Sequence, residues 1–306
     1  MLPEGISVVV PVYNSAATVL ELVDRTEKAL VELGTGFEMI MVEDGSSDDS
    51  WKQVRLAAEG RPWVIPIRLT RNYGQHNALL CGLRRAQFSQ TITMDDDLQH
   101  PPEAIKELAH SLKEWDVVYG TAVTQQQTPL RSIASTVVRY ILSRTMGTDA
   151  ARHISAFRIF RTELRRGFSE YQSPFVSIDV LLSWTTSRFS YVQLEHQPRK
   201  MGKSNYTFRK LISHTANLIT GFSILPLQIA SITGLLATLL GAGLLLFLLL
   251  RKAISGSAVP GFTFLASAIT LFSGVQLFAL GLIGEYLARV HVRSMGRPPY
   301  VESTDH

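Results

Sequence analysis

Cysteine is nearly absent. Cys81 stands alone among 306 residues, which excludes an intrachain disulfide and a cysteine-based zinc site and suits a reducing compartment. An excess of one charge sign is also missing. The formal net charge of +4 fits an anionic membrane surface or a phosphate-bearing substrate, and is too small to argue for nucleic acid. No secretory signal is visible, because Met1-Leu2-Pro3-Glu4-Gly5 lacks a basic segment and the apolar run 6–12 is short and leads into a turn. The N-terminal domain is therefore expected to stay in the cytosol. No internal repeat is present. Charged side chains are missing altogether from residues 227–250 and 262–284. At about 1.5 Å per residue each of these runs extends roughly 35 Å, enough to cross a hydrocarbon core of about 30 Å.

What is present is an alternation of strand and helix patterns. Ile6–Pro11, Phe37–Val42, Val64–Leu69, Gln90–Met94 and Val117–Gly120 read as strands. Pro66 puts the third of them at a sheet edge. Helical spacing covers 16–33, with Asn14 or Ser15 as the N-cap, then Ser50–Glu59 and Asn77–Ala86, and Pro101-Pro102 opens another helix. Such an order predicts an α/β domain built on a mostly parallel sheet. Ligands of these sheets bind beyond the carboxyl ends of the strands. The polar clusters at 11–14, 43–48, 71–75 and 95–99 each follow a strand and should converge on one edge.

The chemistry-bearing residues lie in those clusters. Asp95-Asp96-Asp97 ends a strand, and in an extended segment Asp95 and Asp97 share a face. Two carboxylates together with diphosphate oxygens suit octahedral Mg²⁺ or Mn²⁺. Glu43-Asp44-Gly45-Ser46 offers acceptors for a base or a ribose, and Arg71-Asn72-Tyr73-Gly74-Gln75-His76 offers a cation and amides. Arg199, Lys203 and Tyr206, just ahead of the apolar runs, are placed to grip a phosphate at a membrane interface.

Taken together these motifs resemble the family 2 glycosyltransferases of GT-A fold, in the polyprenyl-phosphate branch typified by dolichol-phosphate mannose synthase and bactoprenol glucosyltransferases. The resemblance rests on Val10-Pro11-Val12-Tyr13-Asn14, Glu43-Asp44-Gly45-Ser46, Arg71–Gln75, Met94–Gln99, Phe157-Arg158, Arg199–Tyr206 and Gly284–Arg289. It implies that Pro11, Tyr13, Asn14, Glu43, Asp44 and Asp95 hold the nucleotide. It implies further that Asp95, Asp97 and Gln99 surround a Mg²⁺ or Mn²⁺ ion, with Arg158, Arg199 and Lys203 on the phosphates and Tyr206 closing the site. Asp179 lies where many family members keep a catalytic carboxylate, beside catalytic roles for Asp97 and Arg158. Glu43 stands where the family often has Asp, and Ser155-Ala156 stand where many members carry an acid before the Phe-Arg pair.

The expected organisation is a cytosolic GT-A nucleotide-sugar-binding domain over 1–198 and a basic juxtamembrane segment over 199–226. A two-helix transmembrane hairpin over 227–285 (227–250 and 262–284) and a cytosolic tail over 286–306 complete it. The resemblance implies inverting sugar transfer from a nucleotide sugar, UDP-glucose first, to a polyprenyl phosphate such as undecaprenyl phosphate, by a multi-pass protein of the cytoplasmic membrane. Relatives imply a tetramer. A GDP-mannose-dependent enzyme is the alternative, and a non-catalytic nucleotide-binding scaffold a weaker one. A processive polysaccharide synthase is disfavoured because the Gln-x-x-Arg-Trp signature is missing.

Overall fold

A computed structural model describes residues 2–122, 153–194, 225–255 and 261–304. The chain divides into two compact units, residues 1–212 with 296–306, and residues 213–295.

The first unit is built on a sheet of seven strands. They are β1 (Ile6–Val12), β2 (Phe37–Glu43), β3 (Val64–Arg68), β4 (Gln90–Thr93), β5 (Val117–Ala122), β6 (Arg158–Arg161) and β7 (Phe189–Leu194). Their order is β3-β2-β1-β4-β6-β5-β7. Strands β1 to β4 run parallel, whereas β6 is antiparallel to both β4 and β5. The mostly parallel sheet and the edge position of β3 are as the sequence predicts. The short strand β6 is not predicted: its four residues carry no length of alternation long enough to read.

Every residue of β1 is buried. Its continuous apolar run follows from burial on both faces of the sheet. The two-residue period sends Val8, Val10 and Val12 with Met39 and Met41 to one face, against Leu22 and Leu30 of α1 (Val19–Val31) and Val54 of α2 (Ser50–Ala58). Val9, Ile40 and Val42 go to the other face, against Leu79, Leu80 and Leu83 of α3 (Gln75–Arg85). Gly82 sets how closely α3 lies on the sheet, since a Cβ there would meet Val9 Cγ1 at 2.4 Å. Among the described residues two further helices belong to this unit, α4 (Ile105–Ser111) and α5 (Ile178–Ser183). The predicted N-cap of α1 is corrected: the helix starts at Val19 with Thr18 as its N-cap residue, and no capping side-chain bond is made there. Asn14 and Ser15 are instead engaged with the loop that follows β2.

The β1–β4 ladder ends at Val9↔Thr93, whereas β1 stays paired with β2 as far as Val12↔Glu43. Pro11, which has no N–H to donate, thus sits past the last rung toward β4. Successive connections leave β1 on opposite sides, so the gap beyond Val9 is the topological switch point at which open α/β sheets take their ligands.

The second unit contains the helices α6 (Leu225–Ser255) and α7 (Phe262–Ser294), which enclose both uncharged runs. Helix α7 continues well past residue 284, so the start of the expected tail is helical. Among the described residues one stretch, Phe272–Ser294, is long and apolar enough to cross a membrane, with mean hydropathy 1.2, and Ala230–Gly241 is apolar but shorter. Leu235, Leu239, Phe247, Leu277 and Phe278 are exposed, an apolar surface larger than soluble monomers usually show. Residues 199–224 of the basic segment lie outside the described residues.

Candidate active site

The four parallel strands deliver their following loops to one edge, and the loops are stitched together there. Tyr13 N–H donates to Asp96 Oδ2 at 2.9 Å, and Thr18 Oγ1 to the Asp96 carbonyl at 2.7 Å. Asn14 takes a positive φ of 52°, a conformation asparagine tolerates better than most residues. In that pose its N–H donates to Ser46 Oγ at 3.0 Å and its Oδ1 accepts from Ser47 N–H at 2.9 Å. Asp44 accepts from Tyr73 N–H at 2.7 Å and from Gly74 N–H at 2.8 Å, which holds the loop after β3 against the loop after β2. Gln75 Nε2 donates to Asp95 Oδ1 at 2.6 Å.

Together these loops enclose a cleft of about 210 Å³. Pro11 and Tyr13 line one wall, Asn72, Gly74 and Gln75 another, and Asp44 with Asp95, Asp96 and Asp97 supply the charge. The convergence predicted from strand order is thus present. The gathering of Asp95 with Asp97 is also present, but the reason given for it is corrected. Strand β4 stops at Thr93, and the acidic residues lie on a turn. Leu98 has φ 59° with its side chain fully in the core. That is a strained conformation for a bulky residue. It reverses the chain so that Asp97 Oδ1 accepts from Gln99 N–H at 3.1 Å. Gln99 thus enters through its backbone, as a support for Asp97.

Burial sets the electrostatics. It pushes Asp44 up to about 6, against the opposing pull of the Tyr73 and Gly74 amides. Burial also raises Asp96, with the Ser15 and Tyr13 hydrogen bonds opposing it. Among the described residues, four aspartates line the cleft and no cationic side chain does. A diphosphate would be repelled unless a cation came between. The described residues contain no group of three or more His, Cys, Asp or Glu arranged to hold a metal. The described side chains offer such a cation only part of a coordination shell. That suits Mg²⁺, which takes one or two carboxylates and completes its shell with phosphate oxygens and water. The donor set fits such an ion at Asp95 and Asp97.

Five described residues expected at the site do not line the cleft: Asn14 and Gln99, which support its loops, and Glu43, Arg158 and Asp179. Glu43 is buried, accepts from Ser46 N–H and pairs with Arg68 Nε at 3.4 Å. Its bond to Ser46 closes the Gly45 turn that follows β2. Arg158 and Asp179 are both buried and bonded to each other, and Asp179 Oδ1 also accepts from Tyr119 Oη at 3.0 Å. A carboxylate held by a guanidinium and a phenol has no lone-pair direction left toward the cleft on that oxygen. Arg199, Lys203 and Tyr206 lie outside the described residues. Conversely, Asn72, Gly74, Gln75 and Asp96 line the cleft without having been assigned a role. The amide-rich motif after β3 marks the first three, but which amides face inward depends on the loop path.

Gly45 shows how tightly the loops meet. Its φ is +65°, and a Cβ on it would lie 2.5 Å from both the Arg71 carbonyl carbon and the Asn72 nitrogen. Backbone cannot swing away as a side chain can, so Gly45→Ala is expected to lower stability by about 1–3 kcal/mol. Thermal unfolding of the purified variant measures it, and an unchanged transition would refute the contact.

Comparison with known proteins bears on this site. The pattern of Glycosyl transferase family 2 matches residues 7–169. The chain is 33% identical over 299 residues to the undecaprenyl-phosphate 4-deoxy-4-formamido-L-arabinose transferase of Klebsiella pneumoniae strain 342, covering 96% of this chain and 91% of that one. It is 33% identical to the protein of that name from Pseudomonas aeruginosa strain LESB58, covering 96% and 88%. Among solved structures it is similar to glucosyl-3-phosphoglycerate synthase from Mycobacterium tuberculosis, with TM-score 0.53 and 16% identity over 72% of this chain and 80% of that one, a likeness of fold. The family match spans the acidic cleft and every loop that builds it, and the chain belongs to glycosyltransferase family 2.

Proposed function

We propose that this glycosyltransferase moves a sugar from a nucleotide-sugar donor, UDP-glucose or another UDP-sugar, to undecaprenyl phosphate at the cytosolic face of the bacterial inner membrane. The observation that carries the reading is the cleft of four aspartates at the sheet's switch point, within a chain that is similar along nearly its whole length to transferases named for undecaprenyl phosphate. Helices α6 and α7 act as a membrane hairpin in this reading. Arg199, Lys203 and Tyr206 grip the acceptor phosphate.

Tyr13, Asn72 and Gly74 hold the nucleotide end of the donor, beside Asp44. Asp95 and Asp97 are the residues that would hold a divalent cation, which when bound neutralises the departing diphosphate. The acceptor is a phosphomonoester with a second pKa near 6, so its oxygen is already largely ionised at neutral pH. The protein therefore needs no strong general base, which agrees with Asp179 being occupied by Arg158 and Tyr119. Its task is to position the anionic oxygen opposite the leaving nucleotide, and inversion at the anomeric carbon is the outcome. Arg158 and Asp179 serve as a support behind the sheet edge.

The test is incubation of the purified full-length protein with undecaprenyl phosphate, Mg²⁺ and a panel of nucleotide sugars. The panel includes UDP-glucose, GDP-mannose and UDP-linked 4-deoxy-4-formamido-L-arabinose. Sugar appearing in the lipid fraction with one donor supports the reading, and none with any donor rejects it.

Asp44 gives the site a pH dependence. Once protonated it can no longer accept from both Tyr73 and Gly74, and the wall carrying Asn72 loosens. Intact nucleotide sugar has no phosphate ionisation near pH 6, so a change in its binding there reports the protein. Donor affinity is expected to fall as pH drops through about 6, measured by calorimetry without acceptor. An Asp44→Asn variant should bind weakly and show no such step, and a flat profile for the wild type would contradict the assignment.

A further inference from the structure

The last described residues do not trail away. They return to the catalytic unit and lengthen the free edge of its sheet. Thr70 N–H donates to the Val301 carbonyl at 3.0 Å, Ser303 N–H donates to the Arg68 carbonyl at 2.7 Å, and Leu69 and Glu302 form an antiparallel bridge. On the opposite side Leu69 N–H donates to the Glu43 carbonyl at 2.8 Å. The segment in which β3 passes into its loop is therefore clamped between β2 and the tail.

Side chains anchor the tail to α3. The Arg84 guanidinium carbon stands 5.5 Å from the centre of the Tyr300 ring, and its Nη1 donates to Tyr300 Oη at 3.2 Å. Glu302 pairs with Arg85 at 2.8 Å and accepts from Cys81 Sγ at 3.6 Å. Pro299 is buried. These are specific contacts on both ends of a five-residue stretch, 299–303. They bear on the site because the clamped backbone runs directly into Asn72, Gly74 and Gln75 of the cleft wall. Thr70, whose N–H the tail holds, also touches Tyr73 through Oγ1 and Oη at 3.1 Å.

We propose that the C-terminal segment 299–303 is a positioning element of the donor site, holding the Leu69–Gln75 loop at the height where its amides meet Asp44 and Asp95. The inference rests on the reading of this cleft as a nucleotide-sugar site. A sheet edge left open would present the Thr70 N–H and the Arg68 C=O to water, and the loop that follows would keep its bonds to Glu43, Asp44 and Asp95 but lose the brace on its outer side. Tyr300 and Glu302 are positioning residues: they act through the loop and touch no substrate.

The experiment uses the full-length protein with its best donor and undecaprenyl phosphate. The double variant Tyr300→Ala with Glu302→Ala is expected to raise donor KM about tenfold, the size of one or two lost hydrogen-bonded contacts, while acceptor KM and kcat stay near wild type. Tyr300→Phe with Glu302 retained keeps the ring beneath Arg84 and should restore most of the affinity. Hydrogen exchange over residues 69–80 should quicken in the double variant and slow again in Tyr300→Phe. Equal rises in both KM values, an unchanged donor KM, or a donor effect that merely tracks loss of folded protein would each overturn the positioning role while leaving the cleft's function standing. A wild-type protein that binds no nucleotide sugar would overturn the functional reading and this inference with it.

Discussion

Replacing Asp97 with asparagine lowers sugar transfer by about a thousandfold or more, on the scale of losing a group that stabilises charge in the transition state, and leaves the fold intact. The structure separates these two effects. Asp97 Oδ1 accepts from Gln99 N–H, and an asparagine Oδ1 accepts that bond equally well, so the turn around Leu98 survives. What disappears is one negative charge in a cleft whose described walls carry no cationic side chain. On the proposed reading the variant is expected to lose its hold on a divalent cation against a diphosphate. Thermal unfolding should match the wild type while lipid-linked product disappears. Turnover close to normal would reject the metal role of Asp97.

Asp179 should behave in the opposite way. Arg158 is 2% exposed and its partner Asp179 8%. Deleting one member of such a pair leaves an uncompensated charge in the interior. Asp179→Ala is therefore expected to destabilise the catalytic unit by about 3–5 kcal/mol, a fall in unfolding temperature on the order of 10 °C. Tyr119, which donates to the same carboxylate oxygen, loses its acceptor as well. Burial, with the Asp179 charge next, already holds that phenol far from ionisation, so it cannot take over as the anion. Adding Arg158→Met to Asp179→Ala removes the orphaned charge and should recover most of the loss, because apolar replacement of both partners is often neutral. A variant with wild-type stability and thousandfold lower turnover would instead make Asp179 a reacting group, and the supporting role assigned to it would fail.

These two aspartates mark the boundary of what could be read in advance. The resemblance implies a catalytic role for both, Asp97 within a polar cluster and Asp179 within an apolar stretch. Asp97 follows a strand that the apolar pattern reveals, so its arrival at the sheet edge was legible. Asp179 opens the six-residue helix α5. Whether its side chain meets solvent or Arg158 depends on β6, whose antiparallel insertion between β4 and β5 no local pattern announces. Glu43 is a similar case. The two-residue period of β2 gives its face, but the partner that draws it inward is Arg68, on the neighbouring strand.

The sequence by itself determined the α/β architecture, the edge position of β3 through Pro66, the gathering of four loops at one end of the sheet, and two long uncharged runs that fold within helices. Each of these follows from a repeat or a breaker within a few consecutive residues. Only the tertiary structure decided which carboxylates face the cleft and which are consumed by buried partners, how Leu98 turns the acidic loop, and that the final residues return to brace the loop after β3. Those outcomes depend on side chains and strand edges far apart in the chain, where direction and desolvation choose among partners that residue type alone leaves equivalent.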